Sequence, residues 1–84
     1  MKPIRFSAHA LNYTTKRGFT IEEVETAIRD GSWSPAEQGR LQSRKDFPFG
    51  EEWNGTIYET KRVRPIFLEK EMEIVVVTVY TYYF

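Results

Sequence analysis

His9 is the only histidine in the chain, and the residues that come after it at helical spacing are phenolic and cationic. Tyr13 and Lys16 come four and seven residues later, so a helix carries all three on one side, with Arg17 near the edge of that face. His9 also falls in the first turn of that helix. There the dipole disfavours imidazolium and keeps the ring neutral and proton-accepting. A neutral base beside phenolic and cationic groups suits phosphodiester cleavage. The base deprotonates a ribose hydroxyl, and Lys or Arg stabilises charge on the phosphate. The competing role for a single His is packing against a sheet with one structural hydrogen bond.

Further cations recur at Arg40, at Arg44-Lys45, and at Lys61-Arg62 with Arg64. Strand alternation places Arg62 and Arg64 on one face, and Arg40 and Arg44 on one face of another strand. Guanidiniums converging on a sheet surface grip a phosphate bidentately. For any one of them, solvation or pairing with an acid of the same chain is the alternative. Lys45 or Tyr80 is the candidate proton donor to a leaving oxygen. Tyr80, Tyr82 and Tyr83 offer phenols, or faces on which a base stacks, against the competing roles of core packing and subunit contact. No metal-ligand spacing occurs: there is no Cys, no second His and no Asp-x-Asp loop. Gly39, Gly50 and Gly55 do not form a phosphate loop before a helix, so no cofactor is expected.

The elements that must position these groups divide the chain in two. Ser7 is a candidate N-cap, with Ala8, Leu11 and Thr15 recurring at helical spacing until Gly18 stops the helix. Thr20-Ile21-Glu22-Glu23 matches a capping box, flanked by Phe19 and Val24 as a hydrophobic staple. Ile21, Val24, Ala27 and Ile28 form the stripe of this second helix, which Gly31 ends. The second half reads as strand. Ile74–Tyr80 is apolar and β-branched on both faces, as a central strand requires, and Arg64–Leu68 precedes it across a polar turn at 69–73. Pro65 belongs at a bulge or an outward-facing edge. Thr56–Thr60 is either a separate strand or the start of the same long one. Arg40–Phe47 alternates as a half-exposed strand, a short strand near Trp33 is possible in this pattern, and 47–55 reads as a loop. The expected architecture is α+β: two N-terminal helices packed on an antiparallel sheet of about four strands. The expected core includes Leu11, Ile21, Val24, Ile28, Val75, Val77 and Val79.

Composition limits the alternatives. At 84 residues the chain is one domain, 1–84, and its six Phe, five Tyr and two Trp make a single core feasible. No apolar run approaches the ~20 residues that span a bilayer, so no membrane association is expected. The opening Met1–Arg5 lacks the apolar segment of a secretory signal, and with no cysteine the expected compartment is the cytoplasm. Twelve basic and twelve acidic residues cancel to zero net charge, which counts against a simple electrostatic nucleic-acid binder unless the basic groups share a face.

Phe6-Ser7-Ala8-His9-Ala10, Lys16-Arg17-Gly18-Phe19-Thr20, Glu22-Glu23-Val24 and Val76-Val77-Thr78-Val79-Tyr80 together resemble a bacterial domain-of-unknown-function family. Its members open with a Ser-x-His-Ala helix, turn at Arg-Gly and end on a Val-Val-Thr-Val-Tyr type strand. The resemblance covers nearly the whole chain and is weakest over 32–53. The helical part is also similar to the BrnT toxins. The resemblance implies a RelE-like fold and RNA cleavage by a toxin that an antitoxin protein restrains. On this reading the protein is a small metal-independent endoribonuclease. His9 is the base, Arg17 and Arg64 clamp the phosphate, Lys45 or Tyr80 is the acid, and Tyr13, Lys16, Arg40, Arg44 and Arg62 bind RNA. The alternatives are a non-catalytic protein-interaction module and a structural homodimer joined through the C-terminal strand.

Overall fold

Ile4–Phe6 alternates apolar and charged side chains and forms strand β1 in a computed structural model that describes residues 2–84. Ser7 then turns the chain into helix α1 (Ala8–Asn12), its hydroxyl accepting from the Ala10 amide at 3.1 Å as an N-cap. Tyr13, at φ −102° and ψ 1°, interrupts the helix, and a further turn, α2 (Thr14–Arg17), runs to Gly18. The expected second helix forms as α3 (Ile21–Asp30). Thr20 Oγ1 accepts from the Glu23 amide at 3.1 Å, and Glu23 Oε1 accepts from the Thr20 amide at 2.9 Å.

Strands dominate the remainder of the chain: β2 (Ser34–Pro35), β3 (Leu41–Gln42), β4 (Lys45–Trp53), β5 (Thr56–Glu69) and β6 (Ile74–Tyr83). The sheet runs β1-β6-β5-β3-β2, with β4 continuing the β3 side of β5. β5 and β6 form the expected hairpin, closed by the Lys70 amide donating to the Glu73 carbonyl at 2.8 Å.

The expected architecture, a RelE-like pair of helices on four antiparallel strands, is therefore corrected. Six strands form a mixed sheet with three short helices, because β1 pairs parallel to β6 through Ile4↔Ile74 to Phe6↔Val76. The single helix expected over residues 7–17 is split at Tyr13. The loop expected over 47–55 is mostly strand. β4 continues to Trp53, and only Asn54 and Gly55 turn the chain, at φ 51° and 87°. Asn-Gly is the residue pair that a two-residue turn with two positive φ values demands. β5 is 14 residues long, and its edge opposite β6 needs both β3 and β4 to satisfy it.

Val24 and Ile28 of α3, with Phe19 and Ala10, pack on Val63, Phe67, Ile74, Val76 and Val79 as one core. Val24, Ile28, Val75 and Val79 are buried as expected, whereas Leu11 and Ile21 are 44% and 41% exposed. α1 is too short to bury more than Ala10, and Ile21 is the first residue of its helix. Val77 is half-buried because the register slips there: Ile66 pairs with Thr78 and Phe67 with Val76, leaving Val77 as the extra residue of a bulge. Pro65 sits fully buried in central β5. Its carbonyl accepts from the Ser43 amide at 3.3 Å, so the side of its backbone that lacks an N–H faces the break between β3 and β4.

Gly18 is a crowded corner of the fold. It holds φ +74°, and a Cβ there would lie 2.3 Å from Tyr83 Oη and 2.6 Å from the Trp53 ring. Gly18→Ala should destabilise the protein by about 1–3 kcal/mol or more in urea unfolding, from backbone strain plus collision. Gly55→Ala carries a positive φ with open space around it and should cost less.

Candidate active site

Register across β5 and β6 pairs Arg62 with Tyr82, Arg64 with Tyr80 and Ile66 with Thr78. Val63 and Val79 point into the core between them, so this set occupies the face turned away from the helices. Two adjoining clefts, of about 770 and about 670 Å³, are both lined by Gln42 and Arg64, and the larger also reaches Trp33 and Ser43, which pack on the helix side.

Arg17 reaches this face from the far side of β6. Its carbonyl accepts from Tyr83 Oη at 3.0 Å and from Thr81 Oγ1, both on the core side. Its guanidinium passes round the strand edge, where Nη1 donates to the Val79 carbonyl at 2.7 Å and to Thr78 Oγ1 at 3.2 Å. That carbonyl lies beyond Val76, the last β6 residue paired with β1, so Arg17 satisfies an edge that no strand covers. Its Nε and Nη2 keep no protein partner among the described residues. The Tyr13 and Tyr80 rings lie 4.1 and 5.1 Å from its Cζ.

On the other side of Tyr80, Arg64 Cζ is 5.2 Å from the same ring. Arg64 Nε donates to Gln42 Oε1 and Nη1 to Tyr82 Oη, both at 2.8 Å. Tyr80 thus stands between two oriented guanidiniums. His9 is exposed on α1 and touches Tyr13, with ring centroids 4.9 Å apart. His9, Tyr13, Arg17, Tyr80 and Arg64 form a continuous line of contacts.

Of the other sequence candidates, Lys16 projects over Tyr13 at 5.5 Å. Arg40 lines the smaller cleft, and Arg44 and Arg62 line the larger one. Arg62 is tied to Asp46, its cross-strand partner, by bonds of 2.6 and 3.0 Å and lies 5.1 Å from the Phe84 ring. Lys45 lies apart from this line. It pairs with Val63 in register and therefore faces the helix layer, where its Nζ meets Asp30 at 3.8 Å. Of the two acid candidates, Tyr80 is the one that lies between Arg17 and Arg64. Gln42 carries no charge and so escapes a search for cations, although its spacing two residues from both Arg40 and Arg44 places it on their face.

The neutral total conceals a sorted distribution. Lys2, Arg5, Arg29, Lys45, Lys61 and Arg62 each meet a carboxylate, at 2.6–3.8 Å. Arg17, Arg40, Arg44 and Arg64 meet none among the described residues. These four guanidiniums gather at the outer face, where Asp46, held by Arg62 and near enough to Arg44 to feel its charge, and Glu37 of the smaller cleft are the neighbouring acids. Among the described residues no three His, Cys, Asp or Glu side chains converge as a metal-ligand group, and no helix is long and apolar enough to cross a membrane. The edge of β6 needed for a strand-paired homodimer is taken along 74–79 by β1, Ser7 and Arg17, while Tyr82 and Phe84 stay exposed.

Searches against protein-family models, curated proteins and solved structures return no match for this chain.

The hydrogen bonds from Arg62 hold the Asp46 carboxyl below its ordinary value against the opposing effect of burial, with the charges of Arg62 and Arg44 adding to them. A depressed carboxyl stabilises the fold above its unfolded value, and this contribution fades as pH falls through the folded one. Carboxyl chemical shifts followed through an acid titration should show Asp46 protonating later than exposed carboxylates. Arg62→Ala should return it towards the ordinary range.

Proposed function

We propose that the protein is a metal-independent endoribonuclease of toxin type that cleaves RNA on the outer sheet face. The observation that carries this reading is the placement of Arg17 and Arg64 on either side of Tyr80. Both are free of carboxylates and both are held by hydrogen bonds that leave donors open. Oriented guanidiniums stabilise the charge that builds on a phosphate during transfer, and orientation set before the reaction is what makes them effective.

His9 takes the proton from a ribose 2′-hydroxyl, and the freed oxygen attacks the adjacent phosphorus. Arg17 and Arg64 neutralise the equatorial oxygens. The P–O5′ bond breaks, and Tyr80 gives its proton to the departing oxygen. The products are a 2′,3′-cyclic phosphate and a 5′-hydroxyl end. The similarity of the helical part, with its Lys16-Arg17-Gly18 turn, to the BrnT toxins supports the same reading. An antitoxin protein would cover this face with carboxylates complementary to the four arginines.

Cleavage of a labelled RNA should persist in EDTA and stop when the cleavage position carries 2′-deoxyribose. His9→Ala should lower the rate by ~10²–10⁴ with the fold intact. Arg17→Lys should restore only part of the activity lost in Arg17→Ala, since an ammonium cannot grip two oxygens as a planar fork. A folded His9→Ala that cleaves as fast as wild type removes His9 as the base. Absence of cleavage with and without ribosomes, alongside tight binding of a protein partner, replaces this reading with an interaction module.

A further inference from the structure

We propose that the larger cleft, between Trp33 and Tyr82, is a nucleobase subsite that selects guanine in the RNA strand crossing Arg64. The proposal rests on the outer face binding RNA, not on the role given to His9.

The two clefts meet at Gln42 and Arg64, so a strand whose phosphate sits on Arg64 has one nucleotide directed into each. At about 770 Å³ the larger lies within the ~300–1,000 Å³ typical of small-ligand sites, ample for one nucleotide. Its aromatic walls are fixed before any ligand arrives. Trp33 Nε1 donates to the Ile28 carbonyl at 2.7 Å, and its ring meets Phe67 edge-on at 5.0 Å. Tyr82 is anchored through its hydroxyl by Arg64 and leaves 42% of its surface open. Fixed aromatic faces beside cations are the usual platform for single-stranded bases.

The polar lining sets the choice of base. Arg64 and Arg62 each commit Nε and one Nη, to Gln42 and Tyr82 or to Asp46, so neither keeps its Nε–Nη edge as a free fork. Arg44 makes no side-chain hydrogen bond among the described residues, so its fork is free. Gln42, the lining amide, already gives Oε1 to Arg64 and Nε2 to the Pro35 carbonyl, at 3.0 Å. Apart from the Ser32 and Ser34 hydroxyls, which donate or accept, the free polar group of the cleft is therefore a donor. Guanine presents two adjacent acceptors, O6 and N7, that match a guanidinium fork, whereas adenine and cytosine present an amino group against it.

The test uses 2′-fluoro tetranucleotides, which lack the attacking hydroxyl, and reads binding apart from cleavage. Tryptophan emission is titrated with a probe carrying one guanine, with its all-adenine counterpart, and with GMP alone. Wild type should bind the guanine probe at least about tenfold tighter, with quenching that disappears in Trp33→Phe. Arg44→Ala should erase the preference, and Tyr82→Leu should weaken both probes about tenfold, the change that ~1.4 kcal/mol of lost stacking produces. Circular dichroism confirms that each variant is folded. Equal affinity for the two probes, an unchanged preference in Arg44→Ala, or no binding of any probe overturns the subsite. GMP binding as tightly as the tetranucleotide, with the same Arg44 dependence, overturns the RNA-strand assignment in favour of a free nucleotide. His9→Ala should keep the guanine preference while losing cleavage. If the preference persists but cleavage does not depend on His9, the subsite stands and the catalytic reading alone falls.

Discussion

Main-chain carbonyls at the end of a helix have no helical partners, and in α2 the sheet supplies them. Thr81 and Tyr83 of β6 donate to the Arg17 carbonyl, and Lys61 of β5 donates to the Gly18 carbonyl at 3.0 Å. Lys61 is only 7% exposed, and its charge is met by Glu23 at 2.8 Å, so one buried ammonium joins the end of α2, the start of α3 and the middle of the sheet. Burial of an ammonium is tolerable only with such partners. Gly18 fits this corner because it brings no Cβ towards Trp53 and Tyr83, which stack at 4.7 Å beneath it.

The corner matters to the proposed site because it anchors Arg17 on one side of the sheet and delivers it to the other. With its carbonyl bound on the core side, the side chain has one route to an unsatisfied acceptor, round the open edge of β6 to Val79. The same hydrogen bond protects an exposed strand edge and sets a cation beside Tyr80. Folding and site construction share one interaction here. The acidic residues contribute indirectly: carboxylates pair with Lys45 and Lys61 on the helix side, while Arg17 and Arg64 of the outer face meet none among the described residues.

Parts of this are legible along the chain. The Thr20–Glu23 box, the Ser7 cap, the Gly18 stop and the β5–β6 hairpin are local features, decided by residues within a few positions of one another, and they form as expected. The Asn54-Gly55 turn is equally local but masked by the Pro and Gly residues before it. A register shift between Pro48 and Glu51 keeps that stretch in the ladder. Leu11 and Ile21 obey the helical period yet lie outside the core, since periodicity says which side of a helix is apolar and not how far the opposing sheet extends.

Sequence alone determined the caps, the turn at 69–73, the β6 strand and the residue types able to handle a phosphate, because each depends on neighbours in the chain. Only the tertiary structure decided that β1 joins β6 in parallel, that Lys45 turns to the helix layer, and that Arg17 and Arg64 meet across Tyr80. These outcomes depend on strand register between segments tens of residues apart, and a shift of one residue would send every side chain to the opposite face.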